Sequence, residues 1–81
     1  MKIKETTVML IGDQMMAMLA VGGYVTHHTG VMHYACEMIP CLRPFSPQSW
    51  DLAERIEDYM NDYYPNWGRV NQNNFNEESE K

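Results

Sequence analysis

Positive charge is scarce in this chain. Lysine and arginine number 6 against 11 aspartates and glutamates in 81 residues, a formal net charge of −5. A field of that sign repels a phosphate backbone, so direct DNA or RNA binding is disfavoured and a basic partner is favoured. Cysteine is nearly absent as well. Cys36 and Cys41 alone are too few for a disulfide framework. No long apolar run goes unbroken. The stretch from Val8 to Val25 approaches the length of a span, but Asp13 and Gln14 interrupt it and Gly12, Gly22 and Gly23 weaken it. A charge at a bilayer centre costs at least about 2.5 kcal/mol, so the run reads as buried core. Met1-Lys2-Ile3-Lys4 faintly resembles a signal n-region, yet no small-residue cleavage site follows. The expected setting is therefore cytoplasmic, with reduced thiols and no membrane. Also missing are a Gly-rich phosphate loop, a GxSxG elbow and an HExxH pair. A chain of this length has no room for a deep catalytic cleft. The expectation is a protein that is not an enzyme.

What is present is concentrated at one end. Acids and bases cancel over residues 1–50. Residues 51–81 carry eight acids and three bases, hence the whole excess. Residues 1–70 read as a single compact domain. Residues 71–81 contain one apolar residue, Phe75, and read as a flexible polar, acidic tail.

The clearest element is a helix from Pro47 to Tyr63. Ser46 suits the N-cap, Pro47 the first helical position, and Pro65 stops the run. Asp51 and Glu54 lie near the positive end of its dipole. At helical spacing Leu52, Ala53, Ile56, Tyr59, Met60 and Tyr63 share one arc. Asp51, Glu54, Asp58 and Asp62 share the opposite one, where Arg55 is the only base. Trp50 falls near the edge of the helix away from its apolar arc, close to Glu57.

The first half is ambiguous, because both faces are apolar. Gln14 to Ala20 lacks β-branched residues and favours helix, with Asp13 as its cap and Gly22-Gly23 as its end. A hairpin turning at Gly12-Asp13 is the alternative. Val31 to Ile39 divides the same way. Its Met, Ala and Glu content leans toward helix, with Thr29 as cap and Pro40 as stop. Gly23 to His28 reads as strand-like or irregular. The expected fold is mainly α, a small helical domain with a C-terminal amphipathic helix. The alternative is α+β, a short antiparallel hairpin sheet packed on that helix.

Three features carry chemistry. The first is an acidic, aromatic surface. Asp51, Glu54, Asp58 and Asp62 form a ridge, and Tyr59, Tyr63, Tyr64 and Trp67 crowd the helix end and its exit beside it. Rings of this kind are enriched at binding hot spots. The second is a His/Cys group. His28, His33, Cys36 and Cys41, with His27 nearby, supply the N and S donors zinc takes, although the spacing matches no standard finger. No other cofactor is suggested. The third is methionine, with 8 in the chain. Met15, Met16 and Met18 suit a tolerant core or a self-association seam, so a homo-oligomer is open.

The leading expectation is a small acidic protein-binding module, an inhibitor or adaptor occluding a basic surface, such as a nucleic-acid-binding one, on a larger protein. Small acidic domains without motifs are common among phage and mobile-element proteins such as anti-CRISPR and other anti-defence inhibitors. The likeness is one of type, not of motif. Mimicry of DNA itself is weaker. Duplex DNA has a charge every ~1.7 Å along its axis, whereas one helical ridge repeats about every 5.4 Å. The alternative function is a small structural zinc-binding domain built on His28, His33, Cys36 and Cys41.

Overall fold

A computed structural model describes residues 2–23, 25 and 28–67. The tail at 71–81 and His27 lie outside the described residues. Three helices follow in order: α1 (Glu5–Ala20), α2 (Thr29–Met38) and α3 (Pro47–Tyr63). The described residues contain no strand, so the mainly α expectation holds and the hairpin sheet is not formed. None of these helices is long and apolar enough to cross a membrane.

The third helix has the bounds read from the sequence, and its caps explain why. Ser46 Oγ accepts the Ser49 backbone N–H at 3.1 Å, and Ser49 Oγ accepts the Ser46 N–H at 2.9 Å. This reciprocal box satisfies two donors that the first turn would otherwise leave orphaned. Leu52, Ala53, Ile56 and Met60 point inward and are buried. α3 is the centre of the fold: it packs against both α1 and α2, which meet each other far less.

The first helix starts earlier than expected. Its N-cap is Lys4, not Asp13. Thr6, Thr7, Val8, Ile11 and Gly12 lower its intrinsic propensity, but Val8, Ile11, Met15 and Leu19 all bury against the core. Tertiary burial outweighs propensity here. Asp13 is therefore a mid-helix residue. The end is as read. Gly22 has φ 99°, its N–H reaches Leu19 O at 3.1 Å, and the Gly23 N–H reaches Met18 O at 3.0 Å. That is a Schellman closure, which a glycine in the left-handed region permits.

In α2 the cap is His28 and not Thr29, which is the first helical residue. Val31, Met32 and Ala35 bury against α3. Val25, Leu42 and Trp67, from the connecting segments, complete the core. Met15 is wholly buried, while Met16 and Met18 pack partly against the core. Methionine thus fills gaps, as its flexible side chain allows.

Candidate functional site

On its outer face, α3 presents four carboxylates to solvent. Asp51, Glu54, Asp58 and Asp62 are all exposed, with Glu54, Asp58 and Asp62 following one another at one-turn spacing. The one base on this side, Arg55, lines the groove beside the ridge but is paired with α1. Arg55 Nη1 donates to the Ile3 carbonyl at 2.8 Å, and Nη2 donates to Glu5 Oε1 at 3.0 Å. Among the described residues, none of the four ridge carboxylates has an ion-pair partner. The far end of the ridge is unfavourable for the helix. Asp62 stands in the last turn, where no basic residue answers the negative end of the dipole.

A surface groove of about 380 Å³ follows the ridge between α1 and α3. Its lining is acidic at Asp58 and Asp62, an ion pair at Glu5 and Arg55, and apolar or aromatic at Met9, Tyr59 and Tyr63. Tyr63 is 60% exposed, and its ring packs edge-on against Tyr59 at a centroid distance of 4.7 Å. The Tyr59 ring is fixed from behind. Its hydroxyl donates to Asp13 Oδ1 at 2.6 Å, and Tyr64 donates to the same oxygen at 2.8 Å. The hydrogen bond to Asp13, followed by desolvation, pushes the Tyr59 phenol up to about 12. Tyr64 is raised for the same first cause. Through Asp13 the Tyr59 side of the groove is thus tied to α1.

The seven residues expected at the partner face are not all on it. The four acids and Tyr63 are exposed, and Tyr64 is half-buried against α1. Trp67 is a correction. It is 3% exposed, and its indole N–H donates to Asn61 Oδ1 at 2.6 Å. It belongs to the core that closes the exit of α3. Tyr59 joins Tyr63 in the groove wall, while Glu5 and Met9 were missed, because nothing in a single sequence says which α1 residues flank α3.

Nor are the four zinc candidates gathered. Among the described residues, no three His, Cys, Asp or Glu side chains are grouped to hold a metal ion. His28 contacts Glu57, its ring Nδ1 lying 2.9 Å and its backbone N–H 3.0 Å from Oε2. His33 stacks edge-on with Phe45. Cys36 Sγ points at Met32 Sδ, 4.0 Å away, and burial raises its thiol pKa. Cys41 is exposed in the connector.

Glu57 is the unexpected acid. It is buried, and it meets the His28 N–H at the start of α2, where a carboxylate favours the positive helix end. Its place on the wheel, beside Ala53 and Met60, was the available signal. No protein-family model, no curated protein and no solved structure matches the chain.

Proposed function

We propose that this is a small acidic protein-binding module, not an enzyme, that inhibits or adapts a larger protein by covering a basic surface. The observation that supports the reading is the unneutralised carboxylate row on α3, running with the groove into the negative end of its own helix. Like charges one turn apart cost a few tenths of a kcal/mol each. A last-turn acid costs a further ~0.3–1 kcal/mol. A basic partner relieves both, and the flanking Tyr59, Tyr63 and Met9 supply the apolar area that charge alone lacks. Occlusion is steric and electrostatic, and a basic nucleic-acid-binding surface is the fitting target. An anti-defence inhibitor of the phage type would act in this way.

The test is capture of the partner from nuclease-treated host lysate by the parent protein and by Asp58→Lys/Asp62→Lys. The parent is expected to retain one near-stoichiometric protein at low salt and release it at high salt. The double variant is expected to lose that protein while melting at or above the parent temperature. Equal capture by both would remove the ridge from the proposal.

A further inference from the structure

A second exposed cluster sits beside the N-terminal end of the same helix. Phe45, in the connector before α3, has φ 62°. Side chains with a Cβ rarely adopt this backbone, and glycine adopts it readily. The ring nevertheless lies 60% exposed, so burial does not explain it. It is held in place from both helices. Its edge-on neighbours are His33 of α2 at 5.2 Å and Trp50 of α3 at 5.9 Å, measured between ring centroids. Its backbone N–H donates to Met32 Sδ at 3.4 Å. Trp50 is itself exposed. A strained, steadied and exposed aromatic is the pattern of a contact point kept against local preference.

The charge around the cluster says what it fits. Glu54 lies one turn beyond Trp50 on α3, and Glu37 one turn beyond His33 on α2, on the faces that carry those rings. Asp51 adjoins Trp50, and all three carboxylates are exposed. Arg43 is the base in the connector. Exposed rings edged by carboxylates suit a cation, and the planar guanidinium suits them better than an ammonium. It stacks on aromatic faces, offers a fork of donors to a carboxylate and is the more weakly hydrated of the two.

We propose that Phe45 and Trp50, with Glu54, form an arginine-reading subsite that extends the acidic ridge to a second contact on the same partner. The inference rests on the ridge reading for the sign of the partner, and adds the residue type that the partner presents here. The guanidinium stacks on the exposed rings while Glu54 accepts from its N–H groups.

Hexa-arginine and hexa-lysine peptides are the probes, titrated into the whole protein and followed by amide and indole NMR. The expected result is a response of the Trp50 indole and the Phe45 amide, with hexa-arginine binding tighter than hexa-lysine by up to about five-fold, the full value of an exposed cation–π contact. Phe45→Gly is expected to lose that preference and to melt at or above the parent temperature, because glycine suits the backbone. Trp50→Ser is expected to lose the preference as well. Shifts at the Asp58 and Asp62 amides without any at Trp50, or equal affinity for the two peptides, would overturn the subsite and leave the ridge standing. Shifts at Trp50 without any at Asp58 and Asp62 would do the reverse. No response to either peptide would overturn both. A Phe45→Gly protein that melts well below the parent would make the ring a structural element and overturn the subsite.

Discussion

One oxygen of Asp13 accepts hydrogen bonds from two phenols, at 2.6 Å from Tyr59 and 2.8 Å from Tyr64. The folded state thereby favours both rings in their protonated form, and the Tyr59 pKa stands at about 12. An unperturbed tyrosine titrates near ~10. The sign follows from linkage. A raised folded pKa contributes stability that is complete below the unfolded value and lost as pH climbs through the folded one. Stability is expected to fall between about pH 10 and about pH 12 as the Tyr59 phenol ionises. Tyrosinate absorbance is expected to show late transitions for Tyr59 and Tyr64, and Asp13→Asn is expected to move them to lower pH. A variant titrating as the parent does would contradict the role given to Asp13. This contact was not legible in the sequence. Asp13 precedes a run of good helix formers and looks like a cap, and only the packing of Val8 and Ile11 carries the helix back past it. Glu57 shows the same limit. Its wheel position was readable, but its partner, 29 residues away, was not. Glu57→Gln keeps an acceptor and removes the charge facing the start of α2. It is expected to cost about 1 kcal/mol, from the weaker hydrogen bond and the lost helix-end charge. Urea unfolding reads this directly, and an unchanged midpoint would contradict it.

At the scale of elements, α3 was readable from end to end because its signals agree. Ser46, Pro47 and Pro65 mark its ends, and one apolar arc faces one acidic arc. α1 and α2 gave no such agreement, since both of their faces carry apolar residues and periodicity has nothing to contrast. What decides α1 is its seat on α3, and the closest point of that seat is Gly12. A Cβ there would lie 2.7 Å from Tyr59 Cδ2 and 3.4 Å from Met60 Cγ. In an exposed helix Gly→Ala gains about 1 kcal/mol. Here overpacking costs about 1–3 kcal/mol, and the displaced atom belongs to the ring that Asp13 holds. Gly12→Ala is accordingly expected to lower stability by about 1 kcal/mol net. Thermal unfolding tests it. A more stable variant would mean that the two helices have room to part.

For the whole molecule, the charge imbalance was legible from the first count, and so was the half of the chain that carries it. Its arrangement was legible only on α3, where helical spacing alone puts Asp51, Glu54, Asp58 and Asp62 outside. The contribution of α1 was not, because Glu5 and Met9 join Asp58, Asp62 and Tyr63 only after the helices pack. Nor was the fate of the last tryptophan. Trp67 sits among aromatics that read as a surface, but a core this small uses it to close the exit of α3. The scattered His and Cys residues follow the same logic. His28, His33 and Cys36 contact Glu57, Phe45 and Met32 respectively, partners that their spacing in the chain does not name.

The central claim is that the acidic face of α3, with its α1 flank, is the surface a basic partner covers. Carbodiimide labelling of carboxylates, read by mass spectrometry on the free protein and on its captured complex, tests it most directly. The expected result is strong labelling of Glu54, Asp58 and Asp62 in the free protein and protection of all three in the complex. Equal labelling of those three carboxylates in both states would contradict it.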